Sequence, residues 1–483
     1  MNFILVFRII SYLLLIISGF MTIPAGIALY MGERDAFRGF LISAAACLVI
    51  FILTYILNRR RRVNNLTLKD GFLFVTFSWV SASLLGSLPF YFSGAIPSMA
   101  DAYFETMSGF TTTGASILSD IESLPVSILF WRSLTHWLGG MGIVVLTVAV
   151  LPLLGIGGLQ LIKAEAPGPT VDKLTPRITE TAKILWYIYI GLTVAETLLL
   201  IVSGMNLFDA LTHTFGTLAT GGFSPKNTSV GHYNSGLIDV IITVFMVLAG
   251  INFTLHFRFM SGRYNSLLRD TELKSYLAVF SIATLIIAVN LYGQQRGSFT
   301  TALRYAGFHA ASILTTTGYA TTDYEQWPAL SQTVLVVLMF IGGCSGSTGG
   351  GVKVIRIITL LKQAFNEMKY LLHPRAVFTL KINGQPVKKD IVYSISGFFF
   401  LYILMLLVTT TVSSFSGTDV ITCFTAALAT VGNIGPGLGL VGPTKNFGFF
   451  PDYAKWFFSF AMLTGRLELY TVLILFTKAF WKK

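Results

Sequence analysis

Two stretches of this 483-residue chain read TTTG, at Thr111 to Gly114 and at Thr315 to Gly318. Extended backbone through threonine and glycine presents carbonyl oxygens with a hydroxyl nearby, and glycine adopts angles that let a chain come close to an ion. Carbonyl oxygens arranged in rings replace the hydration shell of a cation such as K+. Bond-breaking chemistry has no comparable footing. There is no HExxH, no GxSxG followed by a convincing Asp and His, no nucleotide fingerprint and no pair of intramembrane carboxylates suited to acid/base work.

The motif belongs to a larger repeat. Aligned on glycine, four segments match without a gap: DAYFETMSGFTTTGAS (Asp101 to Ser116), DALTHTFGTLATGGFS (Asp209 to Ser224), YAGFHAASILTTTGYA (Tyr305 to Ala320) and DVITCFTAALATVGNI (Asp419 to Ile434). The shared glycines are Gly114, Gly222, Gly318 and Gly432, and an apolar stretch lies on either side of each segment. Asp101, Asp209 and Asp419 read as N-caps, because a carboxylate accepts orphan backbone N–H groups, and Tyr305 takes that place in the third. About a dozen residues then lead to each loop, a helix of roughly 18 Å at 1.5 Å per residue, half the hydrocarbon thickness. Such segments must enter the membrane and turn back. Irregular backbone at that depth needs protein or a water-filled cavity around it, so four equivalent loops are expected to meet on one pseudo-fourfold axis, half-helix C-termini inward.

Composition demands the membrane. Hydrophobic residues make up 54% of the chain and charged residues 12%, against roughly 25% charged in a soluble domain. The predicted fold is all-α and integral to the membrane: two N-terminal transmembrane helices over 1–67, then pore repeats over 68–160, 161–262, 263–385 and 386–483, ten spans in total. The net charge of +12 is a matter of topology rather than of nucleic acid. Arg8, Arg59 to Arg62 with Lys69, the Lys163 to Lys183 group, the Arg258 to Lys274 group, the Lys353 to Lys389 group and Lys478 to Lys483 all fall on one face if ten helices alternate. By the positive-inside tendency that face is cytoplasmic and holds both termini. Cys47, Cys344 and Cys423 are far apart and odd in number, giving neither a disulfide framework nor a zinc spacing.

After the third loop comes FIGGCSGSTGGGVKVIR, in which Gly342, Gly343, Gly346, Gly349, Gly350 and Gly351 fall within ten residues. No helix survives that, at about 1 kcal/mol per glycine, so the sixth apolar pair breaks inside the membrane, the one conspicuous break in the chain. GSTGGGVK differs from a phosphate-binding loop, since Val352 separates Gly351 from Lys353 and no Ser or Thr follows the lysine. An intramembrane gate beneath the loops is the expected role. Arg466, in FSFAMLTGRLELYTVLILF, sits mid-span, where an arginine costs about 2.5–3.5 kcal/mol. It is expected in the pore against the glycine loop, or in a salt bridge to a buried acid, with Glu468 wrongly placed on the helix to be its partner. Glu105, His213 and His309 occupy equivalent half-helix positions and read as hydrogen-bonding groups behind the loops, Glu196 as a span carboxylate seeking a base, and Trp131 and Trp137 as interfacial anchors.

These segments resemble the selectivity loops of the Trk/Ktr/HKT superfamily of potassium transporters, and the two spans ahead of the first repeat make the chain most similar to its TrkH-like branch. The resemblance implies a transported K+ and no cofactor, held by the loop backbones at Thr112, Thr113 and Gly114, at Thr220, Gly221 and Gly222, at Thr316, Thr317 and Gly318, and at Thr430, Val431, Gly432 and Asn433. ATGG and ATVGN depart from TTTG, so unequal contributions are expected. It further implies a glycine loop that obstructs the pore, a GRLE segment matched at Gly465 to Glu468, a homodimer in the bacterial inner membrane, and a separate cytosolic nucleotide-binding ring resembling TrkA. The direct alternative is a proton- or sodium-coupled symporter of the same architecture.

Overall fold

A computed structural model of the chain describes residues 1–58, 67–140, 142, 178–293 and 298–482. The sequence-predicted basic positions Arg59 to Arg62, Lys163, Lys173 and Arg177, and the 160/161 repeat boundary, lie outside the described residues.

Two long helices open the chain, α1 (Phe3–Met31) and α2 (Arg34–Asn58). Gly32, left-handed at φ 76°, ends α1 and reverses the chain at once. Leu5, Ile9, Leu13, Ile17 and Met21 make α1's buried stripe, and it packs on α2, on α3 (Leu68–Gly86) and on α5 (Val126–Gly140). Between the last two comes the short α4 (Met99–Phe110). The next group is α6 (Ile178–Val202), α7 (Leu207–Leu218), α8 (Gly236–Ala249) and α9 (Phe253–Met260). The third is α10 (Thr271–Gly293), α11 (Phe299–Leu314), α12 (Ala329–Met339) and α13 (Val354–Leu372), and the fourth α14 (Lys389–Ser414), α15 (Val420–Val431) and α16 (Asp452–Arg466).

Six helices among the described residues are long and apolar enough to cross a bilayer, or eight if each sharply bent pair is one span. The second helices of the first and third groups do not enter that number. One, α5, is described only over its 15 residues to Gly140, and the other is interrupted between Met339 and Val354.

Three expectations change. Asp101 and Asp209 are not N-caps: Ser98 and Asn206 are, each accepting from the amide of the Asp three residues on, and of the three acids Asp419 alone caps its helix. The helices begin three residues further upstream, which puts Asp101 and Asp209 in the first turn, where a carboxylate favours the positive helix end, and the third starts at Ser298, leaving Tyr305 in mid-helix. The break in the third group has companions. The α8–α9 pair bends by 99° and the pair Asp452–Arg466 and Tyr470–Phe476 by 113°. Asn252 starts a new helix by accepting from Thr254 N, and Glu468 and Leu469 take left-handed angles of 57° and 56°. Trp131 and Trp137 are internal packing, not anchors: Trp131 is fully buried and donates to Gly86 O at 3.0 Å, while Trp137 packs on Trp186, Tyr189 and Phe215.

Candidate functional site

The short helices α4, α7, α11 and α15 all end the same way. After the C-cap, the next residue is left-handed: Thr112 at φ 54°, Thr220 at 54°, Thr316 at 61° and Asn433 at 53°. Its amide bonds back to the carbonyl three residues earlier, and the following amide bonds to the carbonyl five earlier: Thr113 to Ser108 O (2.9 Å), Gly221 to Gly216 O (2.8 Å), Thr317 to Ser312 O (2.8 Å) and Ile434 to Ala429 O (2.8 Å). This is the paired-bond helix ending usually built on glycine. A β-branched residue at positive φ is an outlier held only by its surroundings, so three threonines here mark a fixed geometry. Asparagine tolerates the angle more easily.

One residue beyond each of those amides lies a glycine at positive φ: Gly114 (80°), Gly222 (79°), Gly318 (84°) and Gly435 (97°). A side chain on Gly114 would strike the Gly221 carbonyl oxygen, one on Gly222 that of Thr317, one on Gly318 that of Ile434, and one on Gly435 that of Thr113. The contacts close on themselves, first loop to second, second to third, third to fourth and fourth to first. Four carbonyls, each from the residue before the glycine, therefore crowd one small space. The threonine hydroxyls are turned away from this duty. Thr113 Oγ1 bonds Thr111 Oγ1 at 2.8 Å and Thr317 Oγ1 bonds Thr315 Oγ1 at 2.7 Å, while Thr220 Oγ1 donates to Ala219 O.

The fourth loop departs from the sequence alignment by three residues. Thr430 and Val431 are still helix, Gly432 is its C-cap at φ −81°, and Asn433, Ile434 and Gly435 are the positions that match Thr112, Thr113 and Gly114. Gly432 could not reveal this by type, since a glycine suits a helix end as well as a loop. Asn433 Nδ2 donates to Thr113 Oγ1 (2.9 Å) and Met462 O (3.0 Å), tying the fourth loop to the first and to α16.

Behind the loops stand the polar half-helix residues. Glu105 accepts from Ser116 Oγ (2.9 Å), Ile117 N (3.0 Å) and Arg132 Nε (2.6 Å). His213 bridges Asp209 O and Ser224 Oγ, and His309 bridges Tyr305 O and Thr322 O. Each staples a half-helix to the chain that leaves its loop. Arg132 was not singled out from sequence, although an arginine inside ILFWRSLTHW is the signal that flagged Arg466. It is buried, donates to Ser224 O at 2.9 Å and lies over the Phe223 ring at 3.6 Å, locking the first loop's support to the second's. Removing one partner of a buried ion pair costs about 3–5 kcal/mol. Glu105→Ala is therefore expected to lower the thermal unfolding midpoint of the detergent-solubilised protein by several degrees, and an unchanged midpoint would contradict this role. Glu196 is fully buried in α6 and finds no base among the described residues.

The glycine-rich loop sits directly against this arrangement. Gly342 (φ 80°) and Gly351 (φ 72°) pinch its neck, closed by Lys353 N to Ile341 O (2.9 Å) and Val354 N to Gly343 O (3.1 Å). Gly346 (φ 73°) makes its turn and accepts from Phe253 N, and Cys344 N donates to Gly250 O. Gly350 has no room for a Cβ, which would stand 2.5 Å from Gly432 O, and one on Gly349 would be tight at 3.0 Å from Thr315 O. Gly351 N donates to Gly432 O at 2.9 Å, and Glu272 Oε1 accepts from both Ser345 N (2.7 Å) and Ile355 N (3.1 Å). Arg466 closes the underside, donating to Thr348 O (2.7 Å), Gly139 O (2.9 Å) and Gly140 O (3.2 Å). Through Thr348 O it touches the glycine loop. Glu468 faces elsewhere and pairs with Arg356.

Helices long and apolar enough to cross a bilayer, with short helices that stop within the fold and four carbonyls gathered at their ends, define a helical membrane protein. The TrkH family model, described as cation transport protein, matches residues 40–483, and the chain belongs to that family. It is 42% identical to the Trk system potassium uptake protein TrkH of Salmonella typhimurium, with all of both chains covered. It is 38% identical to the Trk system potassium uptake protein TrkG of Escherichia coli K12 over 86% of each. The crystal structure of the potassium transporter TrkH from Vibrio parahaemolyticus superposes with a TM-score of 0.88 at 40% identity, covering both chains entirely. The chain is a transport protein of this family and not an enzyme.

Proposed function

We propose that the chain takes up potassium across the cytoplasmic membrane through a K+-selective pore on the pseudo-fourfold axis of its four repeats, with ten spans and both termini in the cytoplasm. The filter is formed by the carbonyls around Thr112 to Gly114, Thr220 to Gly222, Thr316 to Gly318 and Asn433 to Gly435. The observation that carries this reading is the closed cycle in which each loop glycine faces the next loop's carbonyl oxygen. Carbonyls alone replace a hydration shell without a side-chain charge, which suits a monovalent ion that must leave as readily as it enters. The names of relatives 42% and 38% identical point to the same ion.

The loop 342–351, pinned by Arg466, is the gate. Its backbone bonds to the bases of the third and fourth loops support an obstructing position, and the guanidinium adds a positive charge on the path of a cation. The exposed basic stretch from α13 to Lys389 is the docking face for a cytosolic nucleotide-binding ring resembling TrkA, and the working unit is a homodimer.

Flux from purified protein in liposomes tests the reading, K+ against Na+, alongside a variant lacking Gly346 to Gly350. Potassium-selective flux that rises in the shortened variant is expected. Equal flux of both ions would end the filter assignment, and unchanged flux in a folded shortened variant would end the gate. Reversal potentials should follow the potassium gradient alone; a shift with a proton or sodium gradient would assign the coupled alternative.

A further inference from the structure

The left-handed residue of each loop has a different side-chain partner. Thr220 bonds its neighbour's carbonyl, Asn433 bonds Thr113 and Met462, and Thr112 Oγ1 makes no hydrogen bond among the described residues. Thr316 Oγ1 accepts from Gly350 N at 2.6 Å, and both residues are buried. The glycine loop is thus bonded to an ion-facing loop itself, not merely seated below it. The next residue, Thr317, supplies the carbonyl that meets Gly222 and approaches Gly114. Two adjacent residues therefore face two different things: one hydroxyl the gate, one carbonyl the ring.

We infer that Thr316 is a positioning residue that couples ion occupancy of the ring to the seating of the gate loop. This rests on the proposed pore and gate. The physical argument has two parts. Carbonyl dipoles gathered without a cation repel one another, so an empty ring favours relaxation of the third loop, whose Thr316 is held at φ 61° against its own preference. Relaxation moves the acceptor away from Gly350 N and loosens Gly349 to Gly351. A cation in the ring holds the third loop, the acceptor and hence the gate in place. By linkage the seated gate favours the occupied ring by the same factor.

The test is amide hydrogen exchange of the segment 342–351 in the full-length protein, in potassium chloride and in choline chloride of equal ionic strength. Potassium should slow exchange there severalfold in the wild type and in Thr316→Ser, which keeps the hydroxyl. The potassium effect should vanish in Thr316→Val, which keeps the shape but not the acceptor, with Thr316→Ala used if the valine variant does not fold. A wild type without the potassium effect overturns the coupling, as does an undiminished effect in the variant lacking the hydroxyl. Liposome flux on the same preparations separates the two failures: selective potassium flux without exchange coupling sinks Thr316 alone, whereas absence of selective flux sinks the pore reading beneath it.

Discussion

Gly318→Ser is expected to lower the K+ over Na+ permeability ratio by at least about tenfold, the equivalent of roughly 1.4 kcal/mol of lost discrimination. Gly318 sits at φ 84°, where a side chain strains the backbone, and its new Cβ would meet both Ile434 O and, at 2.8 Å, the Pro436 ring. The Ile434 carbonyl must give way, and because the four contacts form a cycle its displacement reaches the first loop through Gly435 and Thr113. Strain at a positive φ costs of order 1–3 kcal/mol by itself, so a control is needed that carries the strain without the ring. Gly204→Ser supplies it: Gly204 has φ 103° and nothing within 4 Å of its missing Cβ. Bilayer permeability ratios should fall in the first variant and hold in the second. Equal ratios in wild type and a folded Gly318→Ser would locate selectivity away from these loops.

Arg466→Ala is expected to raise potassium flux by roughly 10- to 100-fold. A unit charge several ångström from the ion's path contributes about 2–3 kcal/mol to its barrier at an effective dielectric near 20, and each 1.4 kcal/mol is a factor of ten in rate. The same side chain also bridges Thr348 O in the glycine loop and the Gly139 and Gly140 carbonyls at the end of α5, so its removal unpins the loop as it removes the charge. Arg466→Lys separates the two effects. It keeps the charge but cannot fork across three carbonyls, and its flux should fall between wild type and alanine. Single-channel recording or liposome efflux reads the series; a folded alanine variant with wild-type flux would remove Arg466 from the gate.

Much of this site was legible in the residue order because its parts are local. A short helix followed by Thr/Gly is visible wherever the chain repeats it, and six glycines in ten residues cannot be helix. The register of the fourth loop was not legible, since ATVGNIGPG holds three glycines where the pattern asks for one, and what selects Gly435 is the Thr113 carbonyl more than 300 residues away in sequence. The same holds for the bends. Gly250 and Asn252 are ordinary inside a helix until Cys344 N takes the Gly250 carbonyl and Phe253 N turns to Gly346 O in the glycine loop. Thr113 and Thr317 show the limit most plainly: residue type offered a hydroxyl to the ion, but the helix end claims it.

The glycine loop belongs to one of four groups, and that has a consequence for how such an assembly can be inherited. Four identical subunits would each bring the same insertion, and on the proposed reading four plugs cannot share one axis. A single gene that spells the four quarters separately escapes this symmetry. Gly350 needs its acceptor at Thr316 alone, and Thr112, Thr220 and Asn433 are released to drift toward other partners. On the proposed reading, the quarters must stay alike where the carbonyl cycle joins them and can diverge one residue earlier, so mutation there can retune closing while the four cycle carbonyls keep their places.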